Sequence, residues 1–177
     1  AKSDRFAALI AEERCTVLHG RIVTERGGGP EKTILASPRF LADTPYRVAA
    51  AYLHNPGDPD FPALLARAER EGCPLVPVPD RHPLDPAVLH RLTRLCREKR
   101  VRIWHGHDYK TNLLGLLLRR RLGLHLATTV HGWIPGGARM RLYHAVDRFC
   151  LRRYDRVIAV SGDLYRRCRA CGVPESR

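Results

Sequence analysis

A chain of 177 residues, 44% of them apolar, carries enough apolar side chains for one ordinary core and falls within the size range of a single domain. No stretch is long and apolar enough to cross a bilayer, and the first residues lack the apolar run and cleavage site of a secretory signal, so the expected location is the cytoplasm. The formal charge of +13 is uneven: residues 1–90 carry −1 and residues 91–177 carry +14. Such a field favours a polyanionic partner, whether nucleic acid, an anionic bilayer surface or a phosphorylated small molecule.

Residues 1–14 read as an extension ahead of one domain over residues 15–177, with no linker, repeat or low-complexity tract dividing it. The first apolar run, "CTVLHGRIV", leads through Gly27, Gly28 and Gly29 into a helical pattern that Pro30 suits as a first turn. Next come "YRVAAAYLH" and the helical "DPDFPALLARAEREG", which Gly72 ends as a left-handed residue. "CPLVPVP" precedes a helix capped by Asp85 with Pro86 in first position, whose Val88, Leu92, Leu95 and Cys96 share one face. "VRIWHGH" is followed by "TNLLGLLLRRRLG", ending at Gly123. "HLATTVHG" leads to a helix with an expected buried stripe of Leu142, Tyr143, Val146, Phe149 and Cys150 and an outer face of Arg141, Arg148 and Arg152. Finally "DRVIAVS" ends at Ser161, which can cap "GDLYRRCRACG". Strand then helix, six times over, specifies an α/β fold with an open parallel sheet of about six strands and helices on both faces.

In such a sheet, ligands bind beyond the carboxyl ends of the strands, so the residues just after each strand are the informative ones. After the first strand, three glycines let backbone approach a ligand, and the following helix N-terminus offers free N–H groups to an anion; Gly27, Gly28 and Gly29 are candidate phosphate or sugar contacts, and a turn needing positive φ is the alternative use. The string is not Gly-x-Gly-x-x-Gly and no Gly-Lys-Ser/Thr closes it, which argues against a dinucleotide or P-loop site. After the fourth strand stand His105, His107, Asp108, Tyr109 and Lys110, with His105 and His107 on the same side of the chain. After the fifth stand His131, Gly132 and Trp133: the histidine is suited to a sugar hydroxyl or phosphate, the aromatic to a sugar face. A zinc site from His105, His107 and His131 is the competing reading, without a carboxylate or thiolate at ligand spacing. The six cysteines read as reduced core fillers, Cys168-x-x-Cys171 having no second pair nearby.

Taken together, "GGGPEKTIL", "HGHDYKTNLLGLLLRR", "ATTVHGW" and "RLYHAVDRFCLRRYDRVIAVSGDLYRRCRACGVP", in that order, resemble the N-terminal domain of family 4 glycosyltransferases from about Cys15 onward. The resemblance implies one half of a GT-B enzyme: a Rossmann-like acceptor-binding domain that faces a donor-binding domain across a cleft, with transfer from a nucleotide-sugar at retained anomeric configuration and no obligatory metal. It implies that Gly28 and Gly29 lie near the donor diphosphate and acceptor, that His131 reaches the transferred sugar, that His107, Tyr109 and Lys110 contact the acceptor, and that Ser161 is the serine of the turn after the sixth strand. It further implies that the donor-binding half is missing from this chain, whose isolated activity is then expected to be low. The acceptor would be a glycan or lipid-linked, and the basic half, including Arg119, Arg120 and Arg121, would suit an anionic membrane surface.

Two other classes remain beside it. Nucleic-acid binding has the charge in its favour, but aromatic residues are only 7% and none interleaves a basic run, so no nucleic-acid partner is expected. Another nucleotide-dependent Rossmann enzyme, such as an epimerase or dehydrogenase, would want an acidic residue closing the second strand, where Asp58 and Asp60 are ambiguous.

Overall fold

The computed structural model describes residues 15–23, 28–83, 85–133 and 135–177. Along the chain, strand and helix alternate: β1 (Cys15–Ile22), α1 (Gly29–Phe40), β2 (Tyr46–His54), α2 (Phe61–Arg70), β3 (Leu75–Pro79), α3 (Pro86–Glu98), β4 (Val101–Gly106), α4 (Tyr109–Leu122), β5 (His125–Val130), α5 (Ala138–Leu151), β6 (Arg156–Ala159) and α6 (Gly162–Ala170). The six strands form one sheet in the order β3-β2-β1-β4-β5-β6, every neighbouring pair parallel. The order reverses between β1 and β4, which makes the carboxyl ends of those two strands the topological switch point.

Both faces of the sheet are covered, which is why β2 reads as an unbroken apolar run. Its alternate residues go to different cores: Ala49, Ala51 and Leu53 pack with Val88 and Leu92 of α3 and Leu114 and Leu118 of α4, while Ala50 and Tyr52 pack with Ile34 and Leu35 of α1 and Phe61 of α2. Trp104 of β4, fully buried, lies over Gly20 of β1 and Gly115 of α4, where an added Cβ would stand 2.2 Å from Trp104 Cζ2 and 2.6 Å from Trp104 Cδ1 respectively. The face opposite Trp104 is the one under α1, and there the ladder places His19 beside His105.

Helix signals in the sequence act as expected at several ends. Asp85 accepts from Ala87 N–H at 2.9 Å, Ser161 from Leu164 N–H at 3.2 Å, and Gly72 and Gly123 adopt φ of 69° and 68°. Helix α5 differs from expectation. Leu142 and Phe149 are 61% and 48% exposed, while Asp147 is buried. The helix is turned because Asp147 has partners inside: it accepts from Asn112 Nδ2 at 2.7 Å and from Trp133 Nε1 at 2.9 Å. Arg141, Arg148 and Arg152 do face outward. Strand β3 begins at Leu75 rather than Cys73, and β6 covers only Arg156–Ala159. The cysteines are free thiols; Cys168 is buried with Val130, Leu151 and Leu164, and that burial raises its thiol to about 11.

Candidate active site

The site grows from the ends of β1, β4 and β5. Arg21, near the end of β1, pairs with Glu31 in the first turn of α1 at 3.0 Å, and the two side chains are only 12% and 2% exposed. Glu31 also accepts from the backbone N–H of Gly28, so the carboxylate closes the glycine turn onto its own helix. Burial would raise the Glu31 pKa, but the Gly28 N–H and the Arg21 guanidinium outweigh it and hold it below the ordinary value. From the other side, Arg21 Nη1 donates to the His107 carbonyl at 3.2 Å. His107 Nδ1 in turn lies 3.0 Å from His131 Nε2. A continuous chain of polar contacts therefore joins Gly28 to His131, and both stand on the same rim.

Behind that rim lies a group of imidazoles. His19 Nδ1 is 2.8 Å from His107 Nε2, and the His105 ring lies against both, with centroids 4.6 Å from His19 and 4.5 Å from His107. His105 Nε2 engages Thr129 Oγ1 at 2.8 Å. Burial is the first cause that lowers the pKa of all four histidines; mutual repulsion adds to it at His19, His105 and His107, and the Arg21 charge adds to it at His131. His105 and His131 fall to about 4, so these rings are neutral at pH 7. The expected alternation of His105 and His107 on one side is observed, and the third member of the group is His19. His19, His105 and His107 offer nitrogens within 4.8 Å of one another, the grouping among the described residues whose spacing could admit a metal ion; the competing zinc reading of the sequence, with His131 in place of His19, is not the trio that clusters.

The glycines differ in their reasons. Gly27 lies outside the described residues. Gly28 and Gly29 do not have positive φ, and a Cβ on Gly29 would meet nothing within 4 Å. Neither a left-handed turn nor internal crowding among the described residues calls for glycine at 29, and the space beside it is open. Gly132 is different: its φ of 141° is a conformation that side chains disfavour, and it turns the chain sharply after His131.

Several expected acceptor contacts are engaged within the protein. Asp108 caps α4 through Oδ1, which accepts from Thr111 N–H at 2.9 Å, and its Oδ2 accepts from Ile22 N–H at 2.9 Å, so it staples the end of β1 to the β4–α4 turn. Burial raises its pKa. Lys110 Nζ donates to both Asp80 oxygens, at 2.7 and 2.6 Å, and to the His82 carbonyl at 3.1 Å, which uses all three of its protons. Trp133 is turned inward: it donates to Asp147, packs against the cluster of Val130, Leu151 and Leu164, and has the Arg167 guanidinium 5.0 Å from its ring centre. Its ring is thus half-buried among these contacts. Tyr109 stacks on Tyr143 at 4.2 Å, half-buried. Ser161 is exposed and caps α6, at the end of β6 on the same sheet edge as His131.

Sequence reasoning did not single out His19, Arg21, Glu31 or Asp147. Glu31 carried a signal, since it stands three residues after a helix-opening position, the capping-box spacing. His19 and Arg21 sit within a strand and acquire partners 88 and 86 residues away, which no local pattern announces.

Comparison with known proteins agrees with this architecture. The family model of the glycosyl transferase 4-like domain matches residues 28–177, and the chain belongs to that family. No curated protein matches the chain. Among solved structures, HepE of Anabaena in complex with UDP aligns at a TM-score of 0.68 and 14% identity over 90% of this chain and 41% of that one. The apo form of the lipopolysaccharide outer core galactosyltransferase WaaB aligns at 0.65 and 14%, over 90% and 43%. The UDP-GlcNAc 2-epimerase of Methanocaldococcus jannaschii aligns at 0.60 and 13%, over 90% and 43%. The sheet is thus the Rossmann-like half of a GT-B fold, and the chain spans less than half the length of these structures.

Proposed function

We propose that this member of the glycosyl transferase 4-like family forms the acceptor-side wall of a two-domain enzyme that moves a sugar from a nucleotide-sugar to a glycan or lipid-linked acceptor. The observation that carries the reading is the chain of contacts from Gly28 through Glu31, Arg21 and His107 to His131, which brings the glycine turn and the histidine to one rim. In this reading Gly28 and Gly29 leave room for the donor diphosphate, and the first turn of α1 faces it. His131 touches the sugar being transferred and is the catalytic residue, neutral at pH 7. His107 stands behind His131, and Tyr109 and Ser161 border the acceptor. Asp108, Lys110, Gly132 and Trp133 shape the wall from within instead of touching the acceptor.

The donor is a nucleotide-sugar, in keeping with the UDP and UDP-glucose complexes of HepE. Transfer proceeds with retention of anomeric configuration and requires no resident metal. The charges that hold the leaving nucleotide belong to a donor-binding half facing this one, so residues 15–177 by themselves turn over slowly. The complete enzyme works at the inner face of the membrane, where the exposed arginines meet anionic lipid.

The test joins this chain to a family donor-binding half and follows UDP-glucose with a panel of glycan and lipid-linked acceptors by mass spectrometry. Sugar transfer that His131→Ala reduces by about a hundredfold, a usual scale for removing one catalytic side chain, supports the reading. Epimerised nucleotide-sugar without transfer would replace it with the epimerase reading, and unchanged transfer in His131→Ala would misplace the catalytic residue.

A further inference from the structure

Three of the imidazoles are joined edge to edge. The His19–His107 and His107–His131 centroids are 5.1 and 5.3 Å apart, and each separation exceeds the facing N···N distance, 2.8 and 3.0 Å, by the same margin of two ring radii. The nitrogens therefore point at one another along the ring planes. Each contact needs one N–H and one bare nitrogen, and a neutral imidazole has one of each. Only two patterns satisfy both contacts: all three rings protonated on Nε2, or all three on Nδ1.

The inner end of the column decides between them. His19 Nε2 faces Ser37 Oγ at 3.4 Å, and the Ser37 hydroxyl gives its proton to the Ile34 carbonyl at 2.6 Å. A hydroxyl with its only proton engaged presents lone pairs, so it accepts from His19 Nε2–H. In the reversed pattern the hydroxyl would either face His19 lone pair to lone pair or give up its 2.6 Å bond to the Ile34 carbonyl for a 3.4 Å one, and either exchange is costly at this part-buried site. Once His19 carries its proton on Nε2, His107 must donate from Nε2 to His19 Nδ1, and His131 from Nε2 to His107 Nδ1.

We propose that His19 and His107 are positioning residues that hold His131 in its Nε2–H form, so that the nitrogen it offers the crevice, Nδ1, is a bare acceptor matched to a hydroxyl and not to a phosphate oxygen. Among the described residues His131 Nδ1 has no hydrogen-bond partner. The identity of the hydroxyl, on the transferred sugar or the acceptor, rests on the function proposed above; the tautomer does not. Arg21 and Glu31 are the charged groups that act on His131: the guanidinium disfavours a protonated ring, and the carboxylate opposes it with the smaller effect. Burial keeps all three rings neutral, as the pattern requires.

A metal ion held by His19, His105 and His107 is the rival for the same nitrogens. The geometry is against it. Two nitrogens bound to one tetrahedral zinc, each about 2.0 Å from it, stand farther apart than the 2.8 Å between His19 and His107, and the His105 ring lies alongside the other two rather than converging with them.

The experiment labels the chain with 15N-histidine and records long-range 1H–15N correlations at neutral pH with no ligand, assigning rings by single His→Gln variants. His19, His107 and His131 should each show a protonated Nε2 and a bare Nδ1. A His131 protonated on Nδ1, or an even mixture, would overturn the proposal. Ser37→Ala, a mild change at the inner end, should introduce the second tautomer at His131 while the rest of the spectrum stays folded; a His131 still wholly in the Nε2–H form would remove Ser37 and the column as its cause. One equivalent of zinc chloride should leave these resonances in place, and stoichiometric displacement of the His19, His105 and His107 signals would establish the metal site instead. Since neither donor nor acceptor is present, failure of the tautomer result leaves sugar transfer standing, and absence of transfer leaves the tautomer result standing.

Discussion

Arg21 and Glu31 form an ion pair at 3.0 Å in which neither side chain has substantial access to water. Breaking such a pair strands a charge, whereas replacing both members with apolar groups removes the problem altogether. Glu31→Ala is therefore expected to destabilise the domain by about 3 kcal/mol in urea unfolding, and the double variant Arg21→Met/Glu31→Leu by clearly less. Equal losses in the two would mean that water reaches the guanidinium.

Stability should also depend on pH through the histidines. His19, His105, His107 and His131 all titrate lower in the fold than the ordinary value of 6.5, by burial above all. Groups with depressed folded-state pKa contribute stability that is present above the unfolded value and is lost as pH falls toward the folded one. Each histidine can add a slope of up to about 1.4 kcal/mol per pH unit in that window. Asp108 and Asp147, raised by burial, act in the opposite direction: their contribution is present below the ordinary carboxylate value of 3.8 and is lost as pH rises through their folded values. The urea midpoint should fall steadily from pH 7.5 to pH 5, about the range in which the unfolded histidines gain protons. A flat profile would show that the folded protein accepts those protons.

Glycines in two places should answer differently to alanine. At Gly115 a Cβ would lie 2.2 Å from Tyr154 Oη and 2.6 Å from Trp104 Cδ1, and overpacking of this kind costs about 1–3 kcal/mol. At Gly29 the same Cβ meets nothing within 4 Å. Gly29→Ala should keep the melting temperature of the parent while raising the KM for nucleotide-sugar in the two-domain enzyme. An unaltered KM would remove the glycine turn from the donor site.

Trp133→Phe separates a structural tryptophan from a sugar-stacking one. The substitution keeps an aromatic face but leaves Asp147, which is buried, without its second donor. A loss of about 1–3 kcal/mol of stability, the usual cost of an unpaired buried group, is expected together with an unchanged KM for acceptor. A raised acceptor KM at parental stability would restore the stacking role.

On α5 the exposed Leu142 and Phe149 lie two turns apart beside Arg141 and Arg148, and Arg153 covers Phe149 at 3.6 Å. Apolar side chains flanked by arginines suit the boundary of an anionic bilayer. Co-sedimentation should be greater with anionic than with neutral vesicles and should weaken in Leu142→Ser/Phe149→Ser. Equal recovery with both vesicle types would remove the membrane contact.

The strands and most helix ends were legible because they depend on local signals: β-branched runs, Asp85 and Ser161 as caps, Gly72 and Gly123 as stops. The rim was legible too, since parallel topology sends "HGHDYK" and "VHGW" to the same edge. What could not be seen is which side chains face outward there. Lys110 and Trp133 look like ligand groups in sequence, and their partners within the fold, Asp80 and Asp147, lie 30 and 14 residues away, beyond the reach of any local pattern. The α5 stripe was misphased for the same reason, because a buried aspartate is polar by type and internal by partnership. His19 is the lone histidine of a core strand, and its role depends on β4 lying next to β1 rather than on anything beside it in the chain.

The two borders of the sheet are guarded unequally. Strand β3 carries Pro77 and Pro79, which cannot donate to an added strand, whereas β6 has no proline and is covered instead at Val157, whose N–H donates to the Arg177 carbonyl at 2.8 Å, with Ile158 and Val160 about half exposed beside it. Trimming residues 174–177 should therefore bare that N–H and let the chain self-associate through β6 as its concentration rises, and a charged residue at position 158 should keep the trimmed chain dispersed.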